Sequence, residues 1–334
     1  MRLHPHCIAS SAGEGRTVAS PALVRQALTH ADCRVRPPGL PVPPALQGSL
    51  AGVVFGRLAR MNDGQTHQAL KKALQQALDG IAPDVLQAWA DRAAATLTAD
   101  VPLTAQALTD CLYLLPGMTL AQGFGAPDHQ LRAMGEDALA FVRCIAPGGS
   151  DAEIDAGKAA AVRLLAALHA MPPGDLMRGL AEAMARQDLA ADEDWLTANA
   201  MGLLFQACEG CAGLLGMMLL QMADKADACP YAAMQQVLAN TPPIRNTRRF
   251  PAAAFRLGDE RYAPGEGLVL SLDGEDEQGG LAFGAGPHAC PGAAWAQIIA
   301  LAGWRALRRA GLPAAALRQY RWRRSPNARV PEFY

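Results

Sequence analysis

The sequence predicts a mainly α-helical protein with one small β region. Three observations carry this. Ala- and Leu-rich stretches dominate a chain that is 51% hydrophobic and 18% charged, enough apolar matter for a sizeable core and too much for global disorder. Aromatic residues are only 5%, which disfavours a sandwich or barrel of β-branched and aromatic strands. The texture changes once, between Ile244 and Leu272, where arginines with Gly258, Pro264, Gly265 and Gly267 interrupt short apolar pieces in the manner of hairpins.

The elements follow in order. Arg16–Ala19 reads as a short strand and Pro21–His30 as a short helix. Pro37, Pro38, Pro41, Pro43 and Pro44 then force a loop. Helices are predicted over Thr66–Leu78, Asp84–Thr98, Leu103–Leu115, Asp128–Ile145, Asp151–His169 and Asp175–Gln187 from their Ala, Leu and charged-residue content. Glu193–Ala223 is the longest, and Asp227–Asn240 ends before Pro242. Asp273–Gly280 is an acidic, Gly-containing surface turn, and Ala293–Ala310 a last helix before an Arg-rich tail. With no internal repeat and no forced boundary, residues 1–334 read as a single domain.

Lys and Arg number 30 against 31 Asp and Glu, a formal net charge of −1. Such balance excludes a dedicated nucleic-acid binder. Eight cysteines include one C-x-x-C, Cys208 and Cys211, with no second pair to complete a metal site; packing is their expected role. Met1–Thr17 lacks the apolar segment of a signal peptide, so a cytoplasmic location is expected. The run Met201–Met222 matches a membrane span in length, but Glu209 in its middle marks a buried core helix and no membrane is expected.

The sharpest segment is Leu281–Ala296, LAFGAGPHACPGAAWA. Cys290 falls at a loop-to-helix junction, where first-turn N–H groups face its sulfur and favour a thiolate. A thiolate so placed is a ligand for a soft or borderline metal, heme iron included. Gly284, Gly286 and Gly292 let backbone approach a flat ligand closely.

Position by position, Phe283-Gly284-x-Gly286-x-His288-x-Cys290-x-Gly292 resembles the heme-binding loop of the cytochrome P450 family. The likeness extends over most of the chain. Gln122–Pro127 is similar to the segment after the family's E helix, and Thr241–Arg249 to the stretch after its K helix. Glu193–Ala223 takes the place of the long helix over the distal heme face, and His67 and Lys71 match a His-x-x-x-Arg motif with Lys for Arg. The resemblance implies a P450-like helical fold holding heme b (iron protoporphyrin IX), with Cys290 as its thiolate ligand and Phe283, Gly284 and Gly292 shaping the loop. His288, Arg248, His67 and Lys71 would contact the heme propionates, which are costly to bury without cations. Phe205 and Ile244 would line the substrate pocket.

The departures are as informative. The family's Glu-x-x-Arg pair falls on Gln236 and Ala239, and the meander segment that completes its ion network is missing between Leu272 and Leu281. Removing a whole buried network is far cheaper than stranding one member. The N-terminus also leaves little room for the first helix and outer strands. On the long helix, Gln206-Ala207-Cys208-Glu209-Gly210 stands where the family has Ala-Gly-x-(Asp/Glu)-Thr. Glu209 keeps the acid, while Gly210 removes the hydroxyl that helps proton delivery.

The resemblance thus implies a heme-thiolate oxidoreductase, a monooxygenase-type enzyme acting on a small organic substrate in specialised metabolism. Its electrons would come from a ferredoxin or flavoprotein reductase docking near Arg305, Arg308 and Arg309. The alternative is peroxide-dependent or redox-neutral chemistry (dehydration, rearrangement or coupling), toward which the lost hydroxyl, ion pair and meander lean. A non-catalytic heme-binding protein is the third reading.

Overall fold

Helix formation follows the Ala- and Leu-rich stretches. The structure, a computed structural model, describes residues 7–9, 15–37, 39–99, 102–146, 148–189, 193–222, 229–323 and 325–334. Its helices are α1 (Pro21–Thr29), α2 (Leu50–Arg57), α3 (Gly64–Asp79), α4 (Pro83–Thr98), α5 (Ala105–Phe124), α6 (Asp128–Ile145), α7 (Asp151–Ala170), α8 (Asp175–Ala185), α9 (Glu193–Met222), α10 (Pro230–Asn240) and α11 (Ala293–Arg309). Residues 227 and 228, expected to open α10, lie outside the described residues.

Two helices differ from expectation for physical reasons. Helix α5 runs nine residues past Leu115, through Pro116 to Phe124. Its faces are buried almost all round, so packing outweighs the hydrogen bond that Pro116 removes. It stops only at Gly125, with φ of 105°, where a Cβ would lie 2.2 Å from the Pro172 carbonyl. Helix α2 had no sequence signal, because Gly52, Val53, Val54 and Gly56 are poor helix formers. Ser49 caps it by accepting from Gly52 N–H at 3.2 Å, and a Cβ on Gly52 would sit 2.1 Å from the Leu46 carbonyl.

The strands are β1 (Cys7–Ala9), β2 (Arg16–Val18), β3 (Cys33–Arg34), β4 (Asn246–Pro251), β5 (Phe255–Leu257), β6 (Glu260–Tyr262), β7 (Leu268–Ser271), β8 (Glu275–Asp276), β9 (Gly279–Gly280), β10 (Tyr320–Trp322) and β11 (Pro331–Phe333). One sheet has the order β1-β2-β7-β4-β3, and three two-stranded pairs surround it. The outer strands, for which the sequence left little room, are therefore present, but β1 and β2 are three residues each. β4 and β7 pair antiparallel with Arg248 opposite Val269.

Two apolar clusters form. The larger is helical and includes Phe124, Phe141 and Phe205; the smaller packs α1 onto the β region through Val24, Leu28, Phe255, Leu268 and Leu270. Ile244 packs against both. Helix α9 runs through the larger cluster, against α2, α5, α6, α10 and α11. Its span Asp194–Gln221 is long and apolar enough to cross a membrane, yet 67% of its most apolar window is buried inside the fold. Its hydrophobicity is therefore accounted for by core packing.

Candidate active site

The Cys290 loop leaves β9 and enters α11. It is anchored from behind, because Leu281 and Ala285 are buried in the smaller cluster. Gly284 and Gly286 adopt φ of 72° and 67°, a region costly for other residues. At Gly286 a Cβ would also stand 2.8 Å from Thr29 Cγ2 of α1. The loop then folds on itself. Gly284 N–H donates to Leu281 O at 2.8 Å, Ala289 N–H to Gly286 O at 3.0 Å and Cys290 N–H to Phe283 O at 2.8 Å.

Cys290 has exposed surface, yet burial pushes its thiol pKa up, against the Gly292 N–H and the Lys71 ammonium. Accessible surface combined with burial among protein atoms fits a group that faces a recess rather than the open surface. The expected N–H donor is present, but burial outweighs it; a metal ion would hold the sulfur deprotonated. Beside it, a Cβ on Gly292 would meet nothing nearer than Cys290 Sγ at 4.0 Å, so this bare residue keeps room next to the sulfur.

Three of the four predicted propionate residues gather at this loop, but they hold protein atoms. The Lys71 ammonium donates to the Ala289 carbonyl. The His67 ring, 3% exposed, lies between Ala59 O at 2.8 Å and Pro287 O at 3.1 Å. It stacks on His288 with centroids 3.7 Å apart, and His288 Nε2 faces Asp63 Oδ1 at 3.3 Å. Burial pulls the His288 pKa down. At Asp63 burial works the other way, but bonds from His288 and Val35 N–H leave its carboxyl below the usual range. The pair is thus a neutral imidazole donating to a carboxylate, not a free cation. Arg248, the fourth residue, lies half-buried on β4, while its neighbour Arg249 is 5% exposed on the opposite face. Arg249 Nη1 donates to Arg248 O at 2.8 Å and Thr247 Oγ1 at 3.2 Å, and its Nε has no partner among the described residues.

The middle of α9 forms the facing side. Cys211 and Cys290 are close enough to influence each other electrostatically. Gln206 is the one exposed residue between Trp195 and Gln221, and Leu203, Ala207 and Gly210 are partly accessible. These four share one face at helical spacing. A Cβ added at Gly210 would meet nothing within 4 Å. Glu209 lies one position round the helix, where Arg323 Nη1 stands 3.9 Å from its Oε1. Burial raises the Glu209 pKa against the pull of Arg323 and Arg60. Phe205, expected to line the pocket, is instead a core residue. It is 1% exposed and packs on Phe141, with centroids 4.6 Å apart. Ile244 sits at the seam of the two clusters, bridged to Ala328. Cys208 and Cys211 are free thiols in the core.

No protein-family profile matches the sequence, and no curated protein matches it either. Solved structures do. P450BioI, in complex with an acyl carrier protein bearing hexadec-9Z-enoic acid, superposes with a TM-score of 0.79 at 17% identity, over 99% of this chain and 94% of that one. A myxobacterial cytochrome P450, CYP267B1 with myristic acid, gives 0.75 at 18% identity, over 98% and 92%. P450 RauA, with a biosynthetic intermediate of aurachin RE, gives 0.73 at 17%, over 96% and 90%. The chain has the cytochrome P450 fold.

Within that P450 fold the departures are visible. Gln236 and Ala239 are exposed on α10, where no buried ion pair is needed. In place of the meander stands the β8–β9 hairpin, leading straight into the Cys290 loop. Sequence reading gave no role to Arg60, Asp63, Asn199 or Arg249, and none to Gln206 beyond its place in the aligned long-helix motif. Asp63, four residues before His67 at the start of α3, carried a readable signal. Arg249 did not, since strand alternation cannot tell which of two adjacent arginines faces inward.

The donor set fits a heme. One accessible cysteine is flanked by glycines, the buried Arg249, close enough to act on His288 of the same loop, has an Nε without a partner among the described residues, and no group of three or more His, Cys, Asp or Glu is arranged for a metal among the described residues. A metal at Cys290 would thus draw its other ligands from a cofactor, as a porphyrin provides.

Proposed function

We propose that the protein is a heme-thiolate oxidoreductase of the P450 type, acting as one unit over 1–334 on a small organic molecule in specialised metabolism. The Cys290 loop supports this most, because its hydrogen bonds and glycines leave one thiol facing a recess. Heme b, when bound, supplies oxidation chemistry at an iron ligated by that thiolate. Cys290 would hold the iron, Phe283, Gly284 and Gly292 would shape the contact, and Arg248 and Arg249 would offset the propionates, with Lys71 adding charge nearby. His67 and His288 would keep the loop in place. Glu209, with its raised pKa, would hold a proton one residue from Gly210 and pass it on through a water or the substrate. The reduced protein with carbon monoxide should show the red-shifted Soret band of thiolate ligation; a histidine-type spectrum would overturn the assignment.

Electrons would come from a ferredoxin or flavoprotein. Arg308 and Arg309 at the exposed end of α11 are candidate docking residues, whereas Arg305 is engaged by Asp91 at 3.7 Å. The acyl carrier protein in the P450BioI complex makes a carrier-tethered substrate a form to include in assays. The packing of α9 into the core supports a non-membrane enzyme.

A second reading rests on Gly210. With no hydroxyl there and open space beyond it, peroxide-driven or redox-neutral turnover is the competing chemistry. Product formed with a reductase system, with peroxide or with neither discriminates the two readings, and absence of product in all three indicates a binding protein.

A further inference from the structure

Arg60 is a cation that the heme-thiolate reading does not use. It lies in the 3-10 turn Ala59–Met61 between α2 and α3. That turn is fixed to α9 by Asn199, 2% exposed. Asn199 Oδ1 accepts from Ala59 N–H at 2.9 Å, and its Nδ2 donates to Arg57 O and Trp195 O, both at 2.9 Å. On the other side, Ala59 O binds the His67 ring at 2.8 Å. The backbone of Arg60 is thus held between α9 and the Cys290 side.

Its side chain has exposed surface and no hydrogen bond or ion pair among the described residues. Yet burial pulls the guanidinium pKa down to about 10, with Glu209 the one charge acting to raise it. The turn's ties to Asn199 and His67 thus place this accessible side chain between α9 and the Cys290 side, close enough to Glu209 to feel its charge. The accessible face of α9 offers Leu203, Ala207 and Gly210 as apolar surface and the Gln206 amide as a polar group. Placing an unpaired cation in such a position is costly unless an anion joins it.

We propose that Arg60 anchors the carboxylate of an acidic, otherwise apolar substrate in the space between α9 and the Cys290 loop. This rests on the heme-thiolate reading of that space. A guanidinium presents a planar fork that a carboxylate meets with two bonds. The carboxylate also brings oxygen atoms to a face where Gly210 has none.

The test compares two matched pairs, octanoate with 1-octanol and 4-phenylbutanoate with 4-phenylbutanol. Calorimetry on the heme-loaded protein gives the affinities, and the heme absorption gives occupancy near the iron. At least one acid should bind about tenfold or more tighter than its alcohol. Arg60→Met should lower that acid's affinity about tenfold and leave the alcohol within about twofold, with Arg60→Lys between. Equal binding of both members in both pairs, or equal loss of acid and alcohol in Arg60→Met, overturns the proposal. So does reduced heme content in Arg60→Met, which would assign the guanidinium to the cofactor. The carbon monoxide spectrum of the reduced wild-type protein separates the two failures, because it tests the heme reading whatever the acids do.

Discussion

The Cys290 loop is tied down from several directions, whereas the stretch of α9 that faces it is bare. On the loop side, Lys71, His67 and the loop's own amides all bond to backbone between Leu281 and Cys290, and α1 closes off Gly286. On the helix side, Gly210 has open space, Gln206 reaches back to Gly202 O at 2.9 Å, and Glu209 leans toward Arg323. The difference teaches where this chain is exacting and where it is permissive. The loop leaves almost no freedom in how a ligand is held. The helix leaves the contents of the opposing space to whatever enters it.

The largest effect should come from the loop's centre. Cys290→Ser is expected to abolish the thiolate-type spectrum and most heme retention, measured by carbon monoxide difference absorption and heme content. Retention of both would break the comparison at its strongest point. Next is Gly286→Ala, which adds a Cβ at positive φ and 2.8 Å from Thr29. It should cost about 1–3 kcal/mol in stability and weaken heme binding. A melting temperature and heme titration equal to wild type would show the loop to be pliable.

Asn199→Ala probes the tie between the two sides. It strands the buried Ala59 N–H, and should cost about 1–3 kcal/mol by denaturant unfolding. Glu209→Gln has a smaller effect that depends on pH. Glu209's folded pKa lies above its ordinary value, so its proton contributes stability fully below the ordinary carboxylate range. That contribution is lost as pH rises through the raised value. The variant should therefore gain on wild type as pH increases upward from the ordinary carboxylate range. A stability difference independent of pH would mean that Arg323 and Arg60 fully offset burial. The smallest effect belongs to Gly210→Ala, which meets no atom within 4 Å and should be neutral or stabilising by up to about 1 kcal/mol. A large loss there would show the helix side to be as constrained as the loop.

The helices were legible because long Ala- and Leu-rich stretches state their own periodicity, and α6 spans the predicted Asp128–Ile145. Helix α2 was hidden because its glycines answer a tertiary demand, the approach of Leu46, that local propensity does not encode. The Cys290 loop was legible because its glycines and cysteine are close in sequence. Its supports were less so. His67 and Lys71 were found through their likeness to the family's His-x-x-x-Arg motif, but their bonding to Pro287 and Ala289 carbonyls is a matter of geometry between segments over 200 residues apart. Phe205 was misplaced because Leu203, Leu204 and Ala207 around it are as apolar as it is. In a helix buried on nearly all sides, composition does not say which face meets the space and which meets Phe141.

The hold of Asn199 on Ala59 also bears on time. An amide hydrogen exchanges with water only when its bond opens. The Ala59 N–H is held by a buried side chain rooted in the longest helix, so its release requires that helix and the turn beside Arg60 to part. Ala59 should then exchange on the slow schedule of the α9 core, although it belongs to a short connecting turn. A single backbone position would report how often the two halves of the site come apart.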